Sequence, residues 1–260
     1  MVGARHEEHA LTARDAEPGY PATSPWDMGD VVKAMAFSLM VITVGAFALL
    51  AAAKFLQLKG VPTALLRVSI TVGQAVLQNL AFVVSVWLCG LRKYRVGINS
   101  LGLRPFRIGM GCGSAAIAFI VALGFNVSYS IVVMVSTGRQ VQATPILPLF
   151  GGGLTGLALA LVVGSLLVPL VEETFFRGFI FPGLARRFGI TAGMILSAGL
   201  FGAAHLNLDT FIPLSFFGLV LTLLYSVTGS IYPGIILHSV NNSFALLVAY
   251  LIETGFAPSP

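Results

Sequence analysis

Seven apolar stretches, at about residues 33–54, 64–90, 110–136, 151–171, 190–206, 210–228 and 231–252, fill most of this chain and are joined by short loops. A membrane-spanning helix needs about 20 consecutive apolar residues. In lipid each backbone N–H and C=O must also be satisfied within the protein, which restricts a chain of this pattern to a bundle of spanning helices. Composition agrees: 57% of the 260 residues are hydrophobic and 10% are charged, where a soluble domain carries about 25% charged residues. The expected fold is all-α, a polytopic transmembrane helical bundle of about 7–8 membrane helices around an intramembrane polar cavity. The later runs are short and crowded, so some are expected to be tilted, broken or re-entrant.

Residues 1–30 hold six of the ten acidic residues (Glu7, Glu8, Asp15, Glu17, Asp27 and Asp30), together with Pro18, Pro21 and Pro25, and read as a disordered polar leader. Residues 31–260 read as one transmembrane domain, with the motif-bearing core at about 150–250. The first apolar run begins only after Lys33 and is too long for a signal-peptide core, so it is expected to be retained.

The net charge of +5 does not indicate a nucleic-acid partner, because the basic residues sit in short loops beside apolar spans and form no stripe. Their distribution indicates orientation. The loop after the second span carries Arg92, Lys93, Arg95, Arg104 and Arg107, the next loop only Arg139, and Arg186 and Arg187 follow the fourth span. By the positive-inside rule the N-terminus is expected to be cytoplasmic, in the cell membrane. Cys89 and Cys112 have no ligand spacing and read as packing residues. No internal repeat supports an inverted-repeat transporter.

Beyond the leader only four acidic residues remain (Glu172, Glu173, Asp209 and Glu253), with two histidines, His205 and His238. Ionisable groups inside a membrane helix are costly and usually pair or function. Glu173 and Arg177 are spaced i,i+4 and share a helical face, whereas Glu172 points about 100° away. If Pro169 opens a new helical segment, both glutamates lie near its positive N-terminal end, and Glu172, without an intrahelical cation, suits a general base. A plain interfacial cap with a salt bridge is the alternative for this cluster. His205 ends an apolar helix rich in small residues. His238 and Asn242, again i,i+4, share a face of the last helix and need partners on other helices. Convergence of these groups would bring together what water activation and oxyanion binding require. Asn207 and Asp209 read as a loop turn. Arg67, Gln74, Gln78 and Asn79 form a polar face on the second span for which the sequence supplies no role.

The segments EETFFR, FGAAH and HSVNN resemble the EExxxR, FxxxH and HxxxN motifs of the CPBP family, which unites CAAX proteases and bacteriocin-processing (Abi) proteins. Neighbouring FRGFIFPGL, GSIYPGIILH and GINSLGLRP are also similar to that family, and the resemblance covers about residues 95–250. It implies an intramembrane endopeptidase in which Glu172 is the general base and His205 binds and polarises the water. Glu173 and Arg177 would fix the helix and its charge, and His238 and Asn242 would stabilise the oxyanion. The family label of metalloprotease implies Zn2+ on Glu172, His205 and His238, although HExxH is absent and a metal-free glutamate mechanism is also compatible. The implied partners are a peptide or lipidated protein substrate and the lipid bilayer. A non-proteolytic scaffold or immunity protein of the same family, and a proton or ion transporter, stand as alternatives.

Overall fold

The computed structural model describes residues 24–256. Among the described residues the chain forms seven long helices: α1 (Met28–Leu58), α2 (Thr63–Arg92), α3 (Ile108–Thr137), α4 (Gly153–Phe188), α5 (Ile190–Ala204), α6 (Leu208–Thr228) and α7 (Tyr232–Glu253). Six are long and apolar enough to cross a membrane, and α5, with 15 residues, is shorter. The protein is an all-α, multi-pass integral membrane bundle. Its outer face is apolar, as at Ile117, Ile120 and Val135 of α3, each at least 67% exposed, which suits a hydrocarbon solvent.

Contacts between helices fix their directions. Ser38 of α1 meets Ser85 of α2 while Gly45 meets Leu77, so the two run antiparallel. Gln78 and Phe82 of α2 face Glu172 and Phe175 of α4, so those run parallel. Gly164 of α4 meets Leu246 of α7 and Glu173 meets Gly234, again antiparallel. The chain therefore alternates direction along its length. Lys33, Arg92, Lys93, Arg95, Arg104, Arg107, Arg186 and Arg187 gather at the end where α1 begins.

The leader assigned to residues 1–30 falls mostly outside the described residues, but residues 24–30 belong to the packed body. Asp27 caps α1 in a capping box with Asp30. Asp30 is buried and accepts from Lys93 Nζ at 2.5 Å and from the Tyr94 hydroxyl at 2.6 Å. The bond to Asp30 holds the Lys93 ammonium well above the ordinary lysine range. Trp26 is fully buried, stacks on Phe179 at 5.1 Å, and donates its indole N–H to the Phe179 carbonyl at 2.8 Å. Arg186 holds the carbonyls of Ser24 and Pro25. A local polar composition does not reveal this packing, because the partners lie 63 to 162 residues away.

Helix α4 also departs from expectation. Pro169 does not open a new segment; it lies inside one continuous helix of 36 residues. Two π-helical stretches, Leu161–Leu167 and Thr174–Ile180, flank the glutamates. In the first, the Val168 N–H bonds back to the Val163 carbonyl, five residues earlier. In that register the Gly164 carbonyl would next look to residue 169, a proline without an N–H. The wider turn thus accommodates the proline and leaves a carbonyl free for another helix, a recurrent feature of functional sites. The glutamates accordingly sit in mid-helix, and the N-terminal dipole argument does not apply to them.

The loop before α3 docks on this helix. An added Cβ at Gly178 would stand 2.7 Å from the Leu101 carbonyl oxygen, and the Arg104 Nε donates to the Gly229 carbonyl at 2.5 Å. Gly178→Ala should therefore destabilise the protein by about 1–3 kcal/mol through overpacking. A thermal midpoint in detergent equal to that of the parent would contradict this packing.

Candidate active site

The glutamate turn of α4 is held in the bundle centre by aromatic packing. Phe82 of α2 stacks on Phe175 at 4.1 Å, and Phe176 meets Phe201 edge-on at 5.2 Å. Glu173 is fully buried. Its Oε1 accepts from Arg177 Nη1 at 2.7 Å and from His238 Nδ1 at 2.9 Å. Arg177, also buried, donates through Nη2 to the Gly218 carbonyl at 3.1 Å and lies 4.4 Å over the Phe201 ring. The charge of Glu173 is thus answered by a cation that is itself held on three sides. Gly234 allows α7 this close, since a Cβ there would lie 3.2 Å from Glu173 Oε2.

Glu172 has a different environment. It is 6% exposed, and its Oε1 accepts from Gln78 Nε2 of α2 at 3.4 Å. Its Oε2 lies 3.9 Å from His238 Nε2, longer than a hydrogen bond. His238 therefore stands between the two carboxylates. Because a carboxylate only accepts, the proton of the Glu173 bond belongs on Nδ1, and Nε2 faces Glu172.

Asn242 lies one helical turn beyond His238, and its Nδ2 donates at 2.9 Å to the Gly164 carbonyl that the π turn and Pro169 leave free. One amide hydrogen is engaged there, and among the described residues the second has no acceptor. His205 caps the C-terminal end of α5 and is exposed. Its Nδ1 donates to the Phe201 carbonyl at 2.9 Å, leaving Nε2 as an acceptor. The Phe201 ring meets His205 at 5.0 Å and His238 at 5.7 Å, so one phenyl group packs on both histidines. The structure thus joins Glu173, Arg177 and His238 by hydrogen bonds, with Glu172 3.9 Å from His238 and Asn242 one helical turn beyond it, while His205 makes no hydrogen bond to that group.

The expected zinc ligands Glu172, His205 and His238 are not gathered into a cage. Among the described residues no three His, Cys, Asp or Glu side chains are placed to hold a metal ion. His238 Nδ1 is engaged by Glu173, and His205 is bonded to its own helix. The donor set in this arrangement does not fit a three-ligand site.

Gln78 was visible in the sequence only as part of a polar face without a role; its contact with Glu172 required the parallel packing of α2 on α4. Asn207 lies in the loop as expected, whereas Asp209 falls in the first turn of α6. Asn207 caps α6 and bonds the Gln142 carbonyl at 3.0 Å, and Asp209 pairs with Arg139.

Residues 154–244 match the family model described as type II CAAX prenyl endopeptidase Rce1-like, an interval that contains all six candidate catalytic residues. This stretch of the chain is similar to that family. The chain is also 28% identical over 90 residues to the protein named "Putative membrane peptidase YdiL" of Bacillus subtilis (strain 168). The match covers 35% of this chain and 37% of that relative's length. No solved structure matches the chain. The Rce1-like interval runs from α4 to α7 and leaves out α1, α2 and α3, although α2 supplies Gln78 to the site.

Proposed function

We propose that this protein is an intramembrane endopeptidase in which Glu172 activates water for attack on a peptide bond. The observation that carries this reading is the unequal use of the two buried carboxylates. Glu173 is committed to Arg177 and His238, whereas Glu172 has only a long bond from a neutral amide. A carboxylate with no cation of its own is free to take a proton.

In this reading Glu172 removes a proton from water while the water oxygen bonds to the scissile carbonyl carbon. His205, whose Nε2 lone pair is free, orients that water. The tetrahedral oxyanion accepts from the second amide hydrogen of Asn242, while His238, whose Nδ1–H stays on Glu173, faces Glu172 and the water through its Nε2 lone pair. Glu172 then passes its proton to the leaving nitrogen as the C–N bond breaks, which restores the carboxylate. Arg177 acts by holding Glu173, and through it His238. The substrate class is a membrane-associated peptide or a lipidated chain end, and the basic end of the bundle faces the cytoplasm.

The test in cells compares membrane peptides from a Glu172→Ala strain with those of the parent by mass spectrometry. The reading expects uncleaved precursors to accumulate only in the variant. Identical peptide profiles, or full phenotypic rescue by the variant, would favour a scaffold or immunity role instead.

A further inference from the structure

Arg67, Thr71, Gln74 and Gln78 of α2 recur at i, i+4, i+7 and i+11 and so share one helical face. They descend about 16 Å along the helix, from the end opposite the N-terminus to Glu172. On one side of this stripe, Gly73 and Leu77 pack on α1, against Leu49 and Gly45. On the other, Val72 and Ala75 pack against the apolar cluster between α4 and α7. The stripe therefore lies in the angle between two packed surfaces, while Val76 and Leu80, 42% and 56% exposed, look outward to lipid.

Burial changes sharply along this one face. Arg67 is exposed, and Thr71, Gln74 and Gln78 are half-buried. Below Gln78 the same side is closed by Ala81, Phe82 and Ser85, all buried. Thr71 bonds back to the Arg67 carbonyl. Among the described residues, however, neither the Gln74 amide nor the Arg67 guanidinium has a hydrogen-bond partner in the protein. An amide without a partner is not tolerated against hydrocarbon, and in a membrane helix such a residue faces a wet cavity.

We propose that the Arg67, Thr71, Gln74 and Gln78 face is the hydrophilic wall of a blind cleft that carries water to Glu172. Gln78, at its floor, is a positioning residue for that carboxylate. This role of Gln78 rests on the peptidase reading above. The closed side below Gln78 makes the route a dead end, which suits hydrolysis and not passage of an ion across the bundle.

The test replaces Arg67, Thr71, Gln74 and Gln78 singly by cysteine in a Cys89→Ala/Cys112→Ala protein, with Val76→Cys and Leu80→Cys as lipid-facing controls. Each variant, reconstituted in liposomes, meets a charged trimethylammonium methanethiosulfonate on both faces of the membrane. Thiolate forms in water and not in lipid, so positions 71, 74 and 78 should react at least about tenfold faster than 76 and 80. Reaction at 71, 74 and 78 no faster than at the controls overturns the cleft. For Gln78 itself, Gln78→Leu should lower kcat about tenfold with KM little changed, because the lost bond is to the reacting carboxylate. An unchanged kcat overturns the positioning role. Retained cleavage by Glu172→Gln would instead remove the general-base role of Glu172, and the labelling pattern would still decide the cleft.

Discussion

Glu172→Gln is expected to lower the rate of peptide cleavage by about 10²–10⁴-fold, the usual contribution of a positioned general base. The substitution keeps the shape of the side chain and a carbonyl oxygen that can accept from Gln78. It removes only the capacity to take a proton. Glu172 is not part of the Glu173–Arg177 ion pair, so the variant should unfold within a few degrees of the parent. A folded protein with full cleavage activity would show that another group activates the water.

The largest effect on stability is expected at Arg177. Its guanidinium is buried and answers the charge of Glu173 at 2.7 Å. It also satisfies the Gly218 carbonyl and covers the Phe201 ring. Arg177→Ala leaves a buried carboxylate without its cation, a change that costs about 3–5 kcal/mol where such pairs have been broken. The double substitution Glu173→Gln/Arg177→Met removes both charges and fills the space, and should recover most of that loss. It should not recover cleavage, because His238 then loses the carboxylate that orients its Nδ1. Thermal unfolding in detergent, run beside a cleavage assay, separates the two effects. Equal stability of Arg177→Ala and the parent would contradict the pairing.

The parts of this protein that follow a local period were legible in the sequence. The apolar runs set the number and direction of the helices. The spacing of Glu173 and Arg177 anticipated their shared face, and that of His238 and Asn242 placed both on one side of α7. What was hidden depends on distant partners or on irregular backbone. Trp26 and Asp30 resemble leader residues until Phe179, Lys93 and Tyr94 are brought against them. Pro169 reads as a helix start, yet a π turn absorbs it and frees the Gly164 carbonyl for Asn242. His205 lies in a motif with the other site residues, but its hydrogen bond goes to its own helix and it shares only the Phe201 ring with His238. Gln78 could not be assigned until α2 was known to lie parallel to α4.

The most direct measurement of the central claim is isotopic. The purified protein in liposomes is given a farnesylated C-terminal peptide, the same peptide without lipid, and a transmembrane peptide, all in water enriched in oxygen-18. Mass spectrometry then reads the new carboxyl terminus. Water activated by Glu172 predicts one heavy oxygen in the product of the native protein and no product from Glu172→Gln. A product that lacks the heavy oxygen, or the same labelled product from the variant, would contradict it.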